Sequence, residues 1–199
     1  MENKKGVSKG LIIGMICIIL LVIIILVGAI YIHYGVPKDI ETKKLDGGNI
    51  SLTYTDEENL FVIQNAIPTN DLVGTKYDSA DLYFDFTVKT EIEEANYIEY
   101  EIVLVKDEAL STALEDNIKV YLEKENKGTY VEVVEPMFFS SNIDDKELGD
   151  SAMSIYKQKK TTDGNDNYRL RMWIADTAVL SSEQVQNYGV QVVIKGIAK

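Results

Sequence analysis

The amino-acid sequence predicts an all-β protein, in which a single N-terminal transmembrane helix precedes an immunoglobulin-like or jelly-roll β-sandwich of about nine strands. Three observations lead to this prediction. An uncharged apolar run of 22 residues lies near the start of the 199-residue chain. Short segments of alternating apolar and polar residues then follow at the spacing of all-β domains. Because such strands hide only half of their side chains, two sheets must cover one another.

The apolar run extends from residue 11 to residue 32, and 16 of its residues are Ile, Leu or Val. As a helix it would be about 33 Å long, enough to cross a hydrocarbon core of about 30 Å. These 16 side chains favour insertion into the bilayer by roughly 5 to 10 kcal/mol. The run therefore predicts a transmembrane helix. Residues 1–10 are expected to be cytoplasmic, because Lys4, Lys5 and Lys9 precede the span.

Three cleavable or processed N-terminal signals share features with this run. A type IV prepilin needs an acidic residue early in the run, but Met15 stands at that position. A lipoprotein signal needs a small residue before its cysteine, but Ile16 precedes Cys17. Residues 27–29, Val-Gly-Ala, form a weak signal-peptidase pattern. Because the apolar run is longer than a usual signal and continues past this site, we expect an uncleaved anchor. Cleavage after Ala29 stays open as the alternative.

Residues 33–49 are predicted to be a polar linker that ends in a Gly-Gly pair, and residues 50–199 to be an extracellular domain. The chain has a formal net charge of −12, and its first 34 residues contribute +2, so −14 belongs to the remainder. A domain this acidic repels nucleic acid. The single cysteine lies in the apolar run, which excludes disulfides, thiolate metal sites and a cysteine nucleophile from the outer domain. The lack of disulfides and the richness of the chain in Lys, Ile and Asn favour a Gram-positive-type bacterium.

Four strands are predicted in the first half of the domain, at 50–55, 60–67, 81–90 and 97–105. Alternation is cleanest in the third, where Leu82, Phe84, Phe86 and Val88 share one face. In the fourth strand, apolar residues alternate with Glu99 and Glu101. Both patterns indicate a sheet with one buried face.

Two hairpins and a final strand are predicted in the second half. Residues 117–134 are expected to turn at Asn126-Lys127-Gly128, where glycine allows a positive φ. A second hairpin is expected to join strands 152–160 and 168–175 through the polar turn 161–167. Residues 177–186 predict a helical turn before the last strand, 188–196.

The polar turn 161–167 is a candidate calcium site through Asp163 and Asp166. Calcium prefers several carboxylate and carbonyl oxygens, and this turn supplies two carboxylates within four residues. It lacks the full ligand spacing of a calcium loop, and a solvated turn would use the same residue types. No other cofactor is predicted.

Arg169, Arg171 and Trp173 share one face of their predicted strand and are the candidate partner-binding residues. If exposed, they would form a cationic and aromatic stripe suited to an acidic protein, a wall polymer or a sugar. If buried at an edge, the arginines would pair across strands with glutamates such as Glu99 and Glu101. The sequence leaves both arrangements open.

No catalytic residue is predicted, and the protein is not expected to be an enzyme. The one histidine, His33, lies at the predicted membrane exit beside two tyrosines, which is typical of an interfacial aromatic belt. Glycosidases use a pair of carboxylates, but in a chain with 32 acidic residues some pair will nearly always have the required spacing, so such a pair does not indicate a glycosidase.

The stretch YFDFTVKTEIEEANYIEYEIVL, two alternating strands with a polar turn in a cysteine-free exported domain, resembles the TasA/camelysin class of Gram-positive matrix proteins. The resemblance is one of organisation, over about residues 50–195, and implies fibre assembly or surface adhesion. In that class the signal is removed, whereas here we expect it to be retained.

Three functional hypotheses follow from these observations. The first is a membrane-anchored, non-enzymatic structural or interaction domain at the cell surface, with a surface protein, a wall polymer or a second copy as its partner. The second is a ligand-binding module for wall glycan or calcium. The third is an auxiliary subunit of a membrane complex that makes contacts through Gly14 and Gly28.

Overall fold

The computed structural model describes residues 38–199 with short gaps. The described residues are 38–54, 59–76, 78, 82–140, 143–145, 148–180 and 186–199. The predicted transmembrane helix at 11–32 lies outside them, and so do residues 181–185 of the predicted helical turn. Among the described residues, none of the helices has the length and apolar character needed to span a bilayer.

Twelve strands in two sheets make up most of the described residues, which confirms the predicted all-β fold and its two-layered, sandwich-like arrangement. The first sheet has the order β1-β2-β5-β11-β7-β8, with the short β4 parallel to β11 and all other pairs antiparallel. Its strands are β1 (Lys38–Leu45), β2 (Gly48–Tyr54), β4 (Pro68–Thr69), β5 (Tyr83–Ile92), β7 (Ile118–Asn126), β8 (Thr129–Phe138) and β11 (Gly164–Ala175).

The second sheet is fully antiparallel and has the order β3-β12-β6-β10-β9. Its strands are β3 (Leu60–Ile63), β6 (Ile98–Lys106), β9 (Ile143–Asp145), β10 (Gly149–Lys160) and β12 (Tyr188–Ala198). One short helix, α1 (Asp71–Gly74), and one 3-10 turn (Glu115–Asn117) complete the regular structure of the described residues.

The hydrophobic core lies between the two sheets and is built from alternate residues of their strands. The predicted faces of β5 and β6 are confirmed: Phe84, Phe86 and Val88 are buried, and so is every second residue from Ile98 to Leu104. Burial of each large apolar side chain stabilises the fold by about 1.5 to 3 kcal/mol. The alternation seen in the sequence therefore sets which face of each strand turns inward.

The hairpin between β7 and β8 is also confirmed. Asn126 pairs with Thr129, so a two-residue loop of Lys127 and Gly128 connects the strands. Both loop residues have positive φ, at 54° and 83°. This backbone matches the right-handed twist of the flanking strands, and glycine adopts it at little cost.

The prediction that residues 33–49 form a linker is wrong for the described part of that range. Residues 38–45 form β1, which pairs with β2 along its length. Gly47 turns the chain with a φ of 94°, and its carbonyl accepts three backbone N–H groups, those of residues 93–95. An edge strand is held by backbone pairing, so it does not need the apolar alternation that marks the other strands.

The prediction of a second hairpin is also wrong. Its two strands exist, but β10 pairs with β6 and β9 in the second sheet, whereas β11 pairs with β4, β5 and β7 in the first. The turn at residues 161–163 therefore carries the chain from one sheet to the other. β10 has its edges occupied by β6 and by β9, which comes just before it in the chain, and β11 has its edges occupied by strands from distant parts of the chain, so neither has an edge free for the other.

Candidate functional site

Arg169 lies on the outer face of the first sheet in a stacked and hydrogen-bonded position. Its guanidinium donates two hydrogen bonds to Asp85 on the neighbouring strand, both of 2.7 Å. It also lies 3.9 Å from the ring centroid of Tyr83 and 4.3 Å from that of Tyr130. These hydrogen bonds to Asp85 raise the pKa of Arg169 above its already high ordinary value. The side chain is thus fixed between two tyrosines.

Arg171 and Trp173 lie on the same outer face but are covered. Arg171 is 4% exposed and pairs with Glu123 on β7 and, at 3.8 Å, with Asp78. Trp173 is 2% exposed, because Tyr121 and the helix α1 cover its indole. Two side chains buried to this degree leave little surface for a partner, so an exposed stripe is reduced to Arg169 and its tyrosines.

The prediction that Arg169 and Arg171 would pair with glutamates such as Glu99 and Glu101 is wrong for these two glutamates. Both glutamates lie on β6 in the second sheet, where Glu101 pairs with Lys157 and Glu99 with Lys199. The cross-strand pairing itself is present, with Asp85 and Glu123 as the carboxylates.

The helix α1 is the element that covers Trp173. Asn70 caps its N-terminus by accepting a hydrogen bond from the backbone N–H of Val73 at 3.1 Å. Lys119 on β7 holds Asp71 of the helix with hydrogen bonds of 2.7 and 2.8 Å. Gly74 then lies directly against the indole, where a side chain would not fit. The local sequence thus places a small residue where the helix meets the sheet.

Asp166, one of the two predicted calcium ligands, lies inside the sandwich rather than in an open turn. It belongs to a group that we call the Asp166 cluster, formed by Tyr100, Lys124, Lys160, Asp166 and Tyr168. The carboxylate is 7% exposed and accepts hydrogen bonds from the Tyr100 hydroxyl at 2.6 Å and from the Lys160 ammonium at 2.9 Å. Lys124 lies 3.0 Å away, and the hydroxyls of Tyr100 and Tyr168 are 2.5 Å apart. The cluster ties β6 of one sheet to β11 of the other.

The titration of the Asp166 cluster follows from this geometry. Burial acts to raise the pKa of Asp166, but the hydrogen bonds from Tyr100, Lys160 and Lys124 outweigh it and hold that pKa below its ordinary value. Burial, the neighbouring Tyr168 and the hydrogen bond to Asp166 together raise the pKa of Tyr100 far above its ordinary range. At neutral pH the cluster therefore holds an ionised carboxylate and two protonated tyrosines.

Asp163, the other predicted calcium ligand, lies at the surface and accepts a hydrogen bond from the backbone N–H of Ile92 at 2.7 Å. The two aspartates thus have separate partners. Across the described part of the chain, no group of three His, Cys, Asp or Glu side chains is placed to hold a metal ion. Calcium binding at these residues stays a prediction, and an ion at Asp166 would have to displace two ammonium groups.

An open cavity that could receive a partner lies on the outer face of the second sheet. This groove has a volume of about 600 Å³ and is lined mainly by charged side chains of β6, β10 and β12. Lys157, Glu101 and Lys195 form one row across the three strands, and Lys159, Glu99 and Ile197 form the next. Lys43 of β1 adds a fourth lysine.

In the Lys157–Glu101 pair of the groove, the lysine projects further into solvent than the glutamate does. The side chain of Lys157 is 75% exposed, while that of Glu101 is 23% exposed and lies 3.2 Å from the Lys157 ammonium. Glu101 also accepts a hydrogen bond from Ser154. At this pair the ammonium group thus forms the outer surface of the groove, whereas the other carboxylate, that of Glu99, lies on a side chain that is 42% exposed.

The sequence reasoning singled out neither the groove nor the lysines and tyrosines of the Asp166 cluster. One signal for the groove was present, because Lys157 and Lys159 in the segment YKQKK are two residues apart and must share a face of a strand. Reading that segment with period two would have placed both on one surface. The tyrosine pairing had no local signal, since Tyr100 and Tyr168 come from different sheets.

No protein-family model matches this chain, and no curated protein is significantly similar to it in sequence. The likeness to the TasA/camelysin class thus stays a prediction drawn from organisation.

Proposed function

We propose that this protein is a membrane-tethered, non-enzymatic interaction domain at the surface of a Gram-positive-type bacterium, and that its partner is an anionic polymer of the cell wall. In this proposal residues 11–32 cross the membrane once, residues 1–10 are cytoplasmic, and the sandwich, of immunoglobulin-like or jelly-roll type, is extracellular. The partner would bind in the groove of the second sheet.

The charge of the groove is the observation that carries this proposal. Residues 38–199 hold 17 Lys and Arg against 31 Asp and Glu, a formal net charge of −14. The groove reverses this balance, with four lysines and two glutamates among its lining residues. An acidic domain that concentrates lysines at one cavity attracts anions there and repels them elsewhere.

The spacing of the lysines fits a polymer better than a single small anion. Lys157 and Lys159 are two residues apart on one strand, so their Cα atoms are separated by about 7 Å. Lys195 lies two strands away from Lys157, at about 10 Å. Charges at these intervals can engage successive phosphates or carboxylates of one chain. Such contacts are individually weak and add up along a polymer.

A direct binding experiment tests the groove. The full chain, purified in a neutral detergent, is titrated with fluorescein-labelled poly(glycerol phosphate) at low and at high salt. Replacing both Lys157 and Lys159 by Glu should weaken binding about tenfold or more at low salt, since two attractive contacts become repulsive. Lys76→Glu combined with Lys127→Glu, an equal change of charge at two exposed lysines outside the groove, serves as the control. Binding should fall as salt rises, because exposed charges are screened.

Two results would contradict the groove as the binding site. One is an affinity that the groove variant leaves unchanged or that the control variant, Lys76→Glu with Lys127→Glu, lowers equally. The other is equal binding of neutral dextran.

The tether has its own test on intact cells. Protease added outside should degrade the sandwich, and N-terminal sequencing of the native protein should find the apolar run still attached. A native N-terminus at Ile30 would instead establish cleavage after Ala29.

Self-assembly is a second candidate function, and the edge strand β8 favours it. Among the strands that the structure describes, β8 pairs only with β7, and it is ten residues long and exposes Val131, Met137 and Phe138. An open edge of this kind can accept a strand from another chain. Pro136 removes one backbone donor from the edge, which limits the pairing to its first part.

Sedimentation and electron microscopy of the full chain distinguish this second function. Fibres that grow with concentration and disappear in Val131→Lys would support assembly through β8. A monodisperse protein at all concentrations would leave polymer binding as the function.

A further inference from the structure

Most of the large apolar side chains that the described residues expose lie at one end of the sandwich. This surface, which we call the apolar end, carries Ile67, Leu72, Val73, Leu114, Phe138 and Val179. Leu72 is 69% exposed and Leu114 is 72% exposed. Single exposed apolar residues are normal, but a group of them at one place marks a contact with a protein or a membrane.

The strands β4 and β7 both reach the apolar end beside the last residues of β11. Pro68 of β4 and Ile118 of β7 each pair with Ile174. Ile67 comes directly before β4, and Leu114 directly precedes the 3-10 turn that leads into β7. Both exposed side chains therefore lie at the same end of the first sheet.

The helix α1 and the last residue of β8 belong to the same surface. Lys119 donates hydrogen bonds to Asp71, the first residue of α1, and its ammonium lies 5.1 Å from the centroid of the Phe138 ring. Leu72 and Val73 follow Asp71 in the helix. The apolar end therefore extends from α1 across β7 to β8.

Strand β1 begins at its end nearer to this surface. Each neighbouring pair in the series β1-β2-β5-β11 is antiparallel, so β1 runs opposite to β11 and away from the apolar end. Lys38, the first residue of β1, is aligned through Tyr54 and Phe86 with Tyr168. From Tyr168, β11 continues over about 23 Å to its last residue, Ala175.

The tether that the sequence predicts is short. The predicted transmembrane helix ends at residue 32, so residues 33–37 alone join it to β1. Fully extended, the chain reaches no more than about 22 Å from residue 32 to residue 38. A tether that continues the direction of β1 therefore brings the apolar end to the membrane surface. Because a tether of this length keeps the domain at a high effective concentration beside the bilayer, weak contacts suffice.

The charges near the apolar end do not attract anionic headgroups. Lys106 pairs with Glu108 and Glu115, whereas Asp116 and Asp176 are exposed. Attraction to a bilayer would therefore come from burial of apolar side chains in the interface. Such a contact does not need anionic lipid and is not weakened by salt.

We propose that the apolar end docks on the lipid surface of the membrane and inserts its exposed leucine, isoleucine and phenylalanine side chains into the interface. This inference rests on the membrane tether of the proposed function and does not depend on polymer binding. The lipid bilayer is thus the partner of this surface.

Docking in this way would turn the groove away from the membrane. Lys106, the last residue of β6, pairs with Glu115 next to Leu114, so it lies near the apolar end. Glu99, near the start of β6, lines the groove about 23 Å away. The lysines of the groove would then face the cell wall.

The experiment uses the full chain in vesicles of neutral phosphatidylcholine. Cys17 is replaced by Ser, so that one new cysteine carries a fluorophore. Asp116→Cys places the fluorophore at the apolar end, and Lys127→Cys places it in the turn between β7 and β8, at the other end of β7. Lipids with a nitroxide on the headgroup quench a fluorophore that contacts the bilayer. An alkaline carbonate wash measures separately whether the chain stays inserted.

The fluorophore at the apolar end should be quenched strongly, and the one in the turn hardly at all. Leu72→Ser combined with Leu114→Ser removes two exposed leucines without changing the charge, and should lower the equilibrium constant for contact about tenfold or more. Val131→Ser combined with Ile197→Ser, at two exposed apolar residues outside the apolar end, is the matched control and should leave the quenching unchanged. Far-UV circular dichroism verifies that both variants are folded.

Three results would overturn docking on lipid while the chain stays inserted after the wash. These are equal quenching of the two fluorophores, quenching that the double leucine variant leaves unchanged, and quenching that the control variant lowers equally. Self-quenching between fluorophores that rises with the protein-to-lipid ratio would assign the apolar end to a second copy instead. A chain that the carbonate wash removes would contradict the membrane tether itself, and this inference with it.

Discussion

Replacing Asp166 by Asn tests directly whether the Asp166 cluster stabilises the packing of the two sheets. The substitution keeps the shape of the side chain and removes its charge, so it creates no cavity. It leaves the ammonium groups of Lys124 and Lys160 beside a neutral amide and weakens the hydrogen bond from Tyr100. We expect the fold to be retained and its free energy of unfolding to fall.

The magnitude follows from the burial of the three charged groups. Removing one partner from a fully buried ion pair costs about 3 to 5 kcal/mol. Here the side chains of Lys124 and Lys160 keep 21% and 19% of their exposure, so their ammonium groups can turn partly into water. We therefore expect a loss of about 2 to 4 kcal/mol, a large share of the 5 to 15 kcal/mol typical of a whole domain.

Urea unfolding of the full chain, followed by Trp173 fluorescence, measures this loss. Asp163→Asn is the matched control, because that exposed carboxylate accepts only one described hydrogen bond, from a backbone N–H. The control should lose no more than about 1 kcal/mol. Repeating both titrations with calcium and with a chelator tests the calcium prediction at the same two residues.

The contribution of Asp166 to stability should also depend on pH, in a direction that its lowered pKa determines. The pKa of Asp166 is lowered in the folded state, so its contribution is present above the unfolded pKa of about 3.9 and is lost as the pH falls through the folded value. The difference between wild type and Asp166→Asn should be constant near neutral pH and shrink below about pH 4. A loss under 1 kcal/mol, or a difference that persists unchanged to the lowest pH, would refute the reasoning.

Three further predictions concern the first sheet, the helix that covers it and the turn between β7 and β8. Gly74→Ala should cost about 1 to 3 kcal/mol and shift the Trp173 emission, because its Cβ would overlap the indole, although alanine normally favours a helix; unchanged stability would contradict this packing. Gly128→Ala should cost about 1 kcal/mol from its positive φ alone, with no change in emission, since no atom lies near. Burial, followed by the nearby glutamates, raises the pKa of Tyr121 to about 12. The free energy of unfolding should therefore fall as the pH rises from about 10 through 12, and Tyr121→Phe should reduce this fall. Ultraviolet titration of tyrosinate measures the pKa, and urea unfolding across this pH range measures the fall in stability.

The sequence predicted best the features that depend on one strand at a time. In β5 the alternation from Phe84 to Val88 is a local signal, because one face meets the core and the other meets water. The turn of Lys127 and Gly128 is local for the same reason, since its backbone determines which residues fit. These features need no information about where the strand pairs.

Features that depend on pairing between distant strands were missed or misplaced. The sequences of β10 and β11 are typical of a hairpin, yet β10 pairs with the distant β6 and β11 with the distant β5 and β7. The carboxylate partners of the two arginines differ from those predicted for the same reason, since β6 and β11 lie in different sheets. Strand β1 was not predicted, because a polar edge strand lacks the alternation of apolar and polar residues that marks the other strands.

The position of β11 also decides which experiments can separate binding from folding. Its inward residues, Asp166 and Tyr168, tie the two sheets together, and its outward residue Trp173 is covered by a helix. Any substitution there changes stability as well as surface, so a loss of binding alone would not identify a contact. Lys157 and Lys159 lie on the exposed face of the second sheet, outside the core. If reversing their charge removes polymer binding while the unfolding curve stays unchanged, the loss belongs to the groove.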